Sequence, residues 1–174
     1  MKINKNITLI GMAGVGKSTI GKELAKFFNY NFIDTDNLIK EKNKTTPQEM
    51  IDSFGEDSYL QKEEEVILGI GNVFHTVIAT GGSCVYSEKA MKLLKKISIV
   101  IFLQSPYENI KKRISDLNTR GIVGLREKTL KELYNERLPL YRRYADKTIV
   151  VRDDFKEENI IAKIESFVSS HTDL

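Results

Sequence analysis

Residues Gly11-Met12-Ala13-Gly14-Val15-Gly16-Lys17-Ser18 follow the pattern G-x-x-x-x-G-K-[ST] directly after the apolar run Ile7-Thr8-Leu9-Ile10. This feature constrains the fold most. It requires a strand, a glycine loop and a helix in that order, with the loop turned tightly enough to aim successive N–H groups at phosphate oxygens and the positive helix end behind them. The helix is expected to be amphipathic through Ile20, Leu24, Phe27 and Phe28. A nucleoside triphosphate is the expected ligand. Gly11, Gly14, Val15, Gly16, Lys17, Ser18 and Thr19 are the candidate nucleotide-binding set, with Lys17 reaching the β and γ phosphates and the Ser18 hydroxyl serving Mg²⁺.

The rest of the chain repeats the alternation. Short apolar runs at Ile7 to Ile10, Asn31 to Ile33, Val77 to Thr80, Ile97 to Leu103 and Thr148 to Val151 read as buried strands, and helical patterns fill the gaps. Thr46-Pro47-Gln48-Glu49 is a capping box with proline at the first helical position, Ser105-Pro106 starts another helix, and Gly55 suits a helix stop. The expected architecture is α/β, three layers with a five-stranded parallel sheet covered on both faces. With 174 residues, 41% hydrophobic, the chain fits one domain, residues 1–174. Asn118 to Thr129, glycine-spaced and carrying arginines, suits a mobile lid over phosphates.

The net charge is only +3, so bulk electrostatics point to neither nucleic acid nor an anionic membrane. No secretory segment and no apolar run of bilayer length is seen, and the single cysteine, Cys84, agrees with a reducing compartment, so a cytoplasmic protein is expected. A monomer is expected. No Cys/His cluster suggests zinc, His75 and His171 stand apart from the motifs, and Cys84 and Tyr86 read as packing residues.

Phe32-Ile33-Asp34-Thr35-Asp36 places two carboxylates at the carboxyl end of a strand, the edge where open α/β sheets bind ligands. Capping of the next helix by Asp34 or Thr35 explains the local pattern equally well, but a triphosphate site also needs a metal-supporting carboxylate and a base for an alcohol acceptor. The turn Thr80-Gly81-Gly82-Ser83 follows the third strand at the same edge. Arg113, Arg120, Arg126, Arg137, Arg142 and Arg143 crowd the last third, and arginine suits bidentate recognition of phosphate or carboxylate.

Together these motifs resemble the shikimate kinases, of the nucleoside monophosphate kinase branch of P-loop folds. The resemblance spans most of the chain and includes the loop Gly11 to Ser18, Asp34-Thr35-Asp36, Gly81-Gly82, Arg120 seven residues after Arg113, and Glu136-Arg137-Leu138-Pro139-Leu140-Tyr141. It implies a P-loop kinase using ATP and Mg²⁺ to phosphorylate the 3-hydroxyl of shikimate in aromatic amino acid biosynthesis. By the same resemblance, Lys17, Asp36 and Arg120 are catalytic, and Ser18 and Asp34 serve the metal. Arg113 and Arg120 join the nucleotide set, while Asp36, Gly81, Gly82 and Arg137 bind the hydroxylated small-molecule acceptor within a segment of about 34–63.

Two positions depart from that pattern. In Gly55-Glu56-Asp57-Ser58-Tyr59-Leu60-Gln61-Lys62-Glu63, Leu60 stands where the resemblance expects the arginine that grips the acceptor's carboxylate, and Ser83 replaces a third glycine. Lys62 is two residues too far along a helix to take over. Both changes fall on the acceptor side, so the alternative is a related kinase acting on a different hydroxylated metabolite. No N-K-x-D motif supports a guanine-nucleotide switch, and no base pocket supports a nucleotide acceptor.

Overall fold

A computed structural model describes residues 5–114, 121–152 and 156–170. Five parallel strands, β1 (Asn6–Ile10), β2 (Asn31–Asp34), β3 (Thr76–Ala79), β4 (Ser98–Gln104) and β5 (Lys147–Val150), form one sheet in the order β2-β3-β1-β4-β5. The five apolar runs each become one of these strands, displaced by a residue or two at their ends.

β1 lies at the centre of the sheet. Leu9 is in register with Ala79 on one side and Ile101 on the other, and every residue of β1 and β3 is buried. This explains their unbroken apolar character, because a parallel sheet covered on both faces leaves no polar side. Helices α1 (Lys17–Phe28) and α7 (Glu157–Ser170) pack together on one face, while α4 (Glu88–Ile97) and α6 (Leu130–Tyr144) pack against β4 on the other. Among the described residues no helix is long and apolar enough to cross a membrane.

Between β2 and β3 lie α2 (Thr35–Asn43) and α3 (Pro47–Leu68). The Thr46 capping box forms as expected, with the Thr46 hydroxyl accepting from the Glu49 amide and the Glu49 carboxylate accepting from the Thr46 amide. Gly55 breaks rather than ends the helix: at φ 84° and ψ 167° it kinks the chain, and helix resumes through Leu68. A helix starts at Ser105-Pro106 as expected, though Ser105 does not cap it. Its buried hydroxyl has no hydrogen-bond partner, and α5 (Tyr107–Arg113) begins after Pro106 without a side-chain cap. Phe27 is 58% exposed, its ring edge-on to Phe28, so the buried stripe of α1 runs through Ile20 and Leu24.

The described part of the expected lid, residues 121–129, forms turns seated on α3. Gly121 donates to Gln48 Oε1 at 3.0 Å, Gly124 donates to Glu56 Oε1 at 2.7 Å, and Arg126 pairs with Asp52. Val123 is buried in a small apolar cluster with Ile39, Met50, Ile51, Tyr59 and Val66, against which Leu60 packs.

Candidate active site

The loop between β1 and α1 takes the conformation its glycines allow. Gly14 and Gly16 sit at φ 77° and 101°, in the left-handed region where a Cβ would be strained, and Gly16 caps α1. Lys17 is 92% buried and folds back over the loop, donating to Gly11 O at 2.8 Å and Met12 O at 2.9 Å. Burial holds its ammonium below the usual value, with Asp36 opposing. The ammonium thus sits inside the phosphate cradle rather than in solvent.

Asp34 caps the next helix and also meets the phosphate loop. Its Oδ1 accepts from the amides of Asp36 and Asn37, capping α2, while its Oδ2 accepts from the Ser18 hydroxyl at 2.5 Å. These two hard oxygen donors from different elements meet at the mouth of a cleft of about 580 Å³. Ala13, Gly16, Thr19, Asp36, Gly82 and Arg113 also line it. Among the described residues no cluster of three or more His, Cys, Asp or Glu could cage a metal by itself. A serine and one carboxylate instead match a Mg²⁺ that takes its remaining ligands from phosphate and water. Val15 is buried, and its carbonyl accepts from Arg113 Nη1 at 3.3 Å, which places Arg113 against the loop. Arg120 lies outside the described residues.

Asp36 faces the same cleft from the first turn of α2, accepting from Tyr59 Oη at 3.4 Å. Burial raises its carboxyl above the usual range, against the pull of Lys17. Behind it the Gly81-Gly82 turn is packed so closely that side chains are excluded. A Cβ on Gly81 would lie 2.0 Å from Glu63 Oε1 and 2.8 Å from Asp36 Oδ1. Gly81 is buried, and its amide donates to Thr35 Oγ1 at 3.0 Å, so Gly82 is the glycine that borders the cleft.

Arg137 projects from α6 toward Gly82 and is 99% buried. Its Nε donates to Tyr86 Oη at 3.1 Å and its Nη2 to Val123 O at 2.6 Å; no carboxylate among the described residues pairs with it. Tyr86, expected to be packing, therefore positions the guanidinium: its ring lies under Arg137 at 5.1 Å and its hydroxyl donates to Glu136 Oε1 at 2.6 Å. Tyr141 Oη donates to Gly82 O at 2.6 Å and fixes the turn. Cys84 is buried, its thiol pushed up to about 12 by that burial, which agrees with a packing role.

The sheet edge thus unites a phosphate cradle, a metal-ready oxygen pair, a half-buried carboxylate and a buried guanidinium. A model of the shikimate kinase family matches residues 13–169. A shikimate kinase of Caldanaerobacter subterraneus subsp. tengcongensis is 36% identical over 156 residues, covering 88% of this chain and 91% of that protein. The chain belongs to the shikimate kinase family. A shikimate kinase of Francisella tularensis subsp. novicida is likewise 36% identical, over 97% of both chains. The structure of shikimate kinase from Acinetobacter baumannii in complex with shikimate superposes with a TM-score of 0.87 at 28% identity, over 97% of this chain and 95% of that one. Family membership makes this chain a phosphotransferase with an alcohol acceptor.

Within the family frame two further residues stand out. Glu63, on α3, is 99% buried; its Oε2 accepts from Ser83 Oγ at 2.7 Å, and its Oε1 has no hydrogen-bond partner. Burial pushes its carboxyl up to about 7, the Ser83 hydrogen bond opposing and the Asp36 charge adding. Tyr59 places its hydroxyl on Asp36 from the same helix. Neither role was signalled locally. Lys62 is spent on Glu65 at 2.7 Å on the surface and brings no charge to the pocket.

Proposed function

We propose that this chain transfers the γ-phosphoryl group of ATP to the 3-hydroxyl of shikimate. The observation that carries this reading is Arg137, a guanidinium buried beside the cleft that holds Lys17 and Asp36, whose hydrogen bonds among the described residues go to neutral groups. A buried cation in that position is best satisfied by an anion, and a carboxylate-bearing acceptor supplies one within reach of the phosphate loop.

In this reading the loop amides and Lys17 hold the β and γ phosphates, and Arg113 clamps the nucleotide. Asp36 accepts the hydrogen of the acceptor hydroxyl and orients its oxygen, while Arg137 and Gly82 fix the ring. The oxygen–phosphorus bond forms as the bond from the γ-phosphorus to the bridging oxygen breaks, leaving ADP, and the hydroxyl proton passes to Asp36. Ser18 and Asp34 would hold Mg²⁺, which when bound neutralises charge on the phosphates. Arg120 would add positive charge from the lid. Because Arg137 is 99% buried and bonded to Val123 O, acceptor entry requires the segment 121–129 to lift from α3. The reaction belongs in the cytoplasm, with the chain acting as a monomer.

The test is ATP consumption by the purified protein with Mg²⁺, with and without shikimate, and the product's mass. Shikimate-dependent turnover yielding a monophosphorylated product supports the proposal; ATP binding without such turnover overturns it. A second reading, a related kinase for a different hydroxylated metabolite, is favoured by Leu60. It packs into the apolar cluster around Val123 and leaves Arg137 without a second cation. A screen of polyols and hydroxy acids in the same assay separates the two.

A further inference from the structure

We propose that Glu63 is the proton-holding partner of Asp36, and that its neutral form governs how tightly the pocket binds an anionic acceptor. The inference rests on the reading of Asp36 and Arg137 as the acceptor site. Its foundation is geometric. Glu63 Oε1 and Asp36 Oδ1 lie 2.0 and 2.8 Å from a single point, the position of a Cβ on Gly81, and so are within about 5 Å of each other. Glu63 is buried and Asp36 half-buried, and no cation bridges them among the described residues. Two carboxylates that close in a low dielectric do not both ionise.

The hydrogen bonds assign the proton. Asp36 Oδ1 accepts from Tyr59, and Lys17 lies near enough to favour its charged form. Glu63 Oε2 accepts from Ser83, which leaves the unpartnered Oε1 to carry the hydrogen. The charged and titratable groups facing Glu63 are Asp36 on α2, Lys17 on α1, Arg137 on α6, Cys84 beside the Gly81-Gly82 turn, and Tyr59 on its own helix. Only two of these are cations, and Lys17 is committed to the phosphate loop. An acceptor carboxylate pairing with Arg137 would meet one negative charge with Glu63 neutral and two with it ionised.

Binding an anionic acceptor should therefore draw a proton onto Glu63 wherever the free protein has lost it. The experiment is calorimetric titration of shikimate into the full chain at about pH 8, in two buffers of different ionisation enthalpy, alongside the shikimate KM from about pH 6 to pH 8.5. The expected result is uptake approaching one proton per shikimate, with KM rising toward tenfold per pH unit above about 7. In Glu63→Gln, which copies the neutral carboxyl, the uptake vanishes and the KM stays flat. Ser83→Ala removes a hydrogen bond that favours the charged form, so it moves the rise in KM to higher pH. Equal uptake and an equal profile in wild type and Glu63→Gln overturn the proposal, as does no uptake in the wild type. If shikimate fails to bind at any pH, the acceptor assignment has failed, and infrared spectra of the free protein decide the rest. A protonated-carboxyl band near neutral pH that is absent from Glu63→Gln upholds the proton assignment, and no such band refutes it.

Discussion

Glu63→Gln should stabilise the folded protein in alkaline solution, and the size of the effect follows from its surroundings. The carboxyl titrates at about 7 in the folded protein against 4.5 when exposed. Below 4.5 both states hold the proton. Between the two values the folded state holds it and the unfolded state has released it, so stability falls as pH rises, and above 7 the loss is complete and constant. The full displacement is worth roughly 3 kcal/mol. Glutamine keeps the shape, lets Ser83 donate to its carbonyl oxygen, and has no charge to strand. The variant's advantage over wild type should thus grow by roughly 2 to 3 kcal/mol between about pH 5 and about pH 8.5. Urea unfolding of both proteins across that range measures it, and taking the difference cancels the other titrating groups. A difference that does not change with pH, or a wild type that gains on the variant as pH rises, would refute the burial argument.

Lys17→Ala should lower kcat by roughly a hundredfold or more while the melting temperature changes little, since the ammonium's hydrogen bonds go to loop carbonyls at the cleft; near-normal turnover would remove Lys17 from the mechanism. Gly81→Ala should impair activity and cost about 1 to 3 kcal/mol in a urea melt, because the new methyl collides with Glu63 Oε1 and Asp36 Oδ1; an active variant of unchanged stability contradicts the packing described. Leu60→Arg should raise kcat/KM for shikimate by about tenfold or more through one charge-assisted hydrogen bond, at some cost in stability from the apolar cluster it leaves. Unchanged kinetics would mean that the position does not face the acceptor.

What was legible in the sequence is what is local. The strand, loop and helix from Asn6 to Phe28 are contiguous, and the Thr46 capping box is a four-residue pattern; each formed as its chemistry dictates. The capping by Asp34 was readable because its partners lie within three residues, at the start of α2. The acceptor side is assembled from afar. Tyr86 meets Arg137 across 51 positions and Ser83 meets Glu63 across 20, and no periodicity reports such pairs. Tyr86 therefore looked like a packing aromatic. The strand order was equally hidden, since it depends on which crossovers bring β1 to the centre.

The two departures from the family pattern, Leu60 and Ser83, look unrelated in sequence and converge on one carboxyl in space. Leu60 precedes Glu63 by three residues on α3, so both lie on neighbouring parts of one helix face. An arginine at 60 would offer that carboxyl a cation; leucine packs against the Val123 cluster and offers none. Ser83 donates to Glu63 at 2.7 Å, a hydrogen bond that glycine would not make. A carboxyl deprived of a cation is biased toward its neutral form, while the Ser83 hydrogen bond biases it toward the charged one. The two substitutions thus act with opposite sign on one ionisation in the acceptor pocket. Because Leu60 and Ser83 act through the same group, Leu60→Arg and Ser83→Gly should be non-additive in their effects on the pH dependence of acceptor binding.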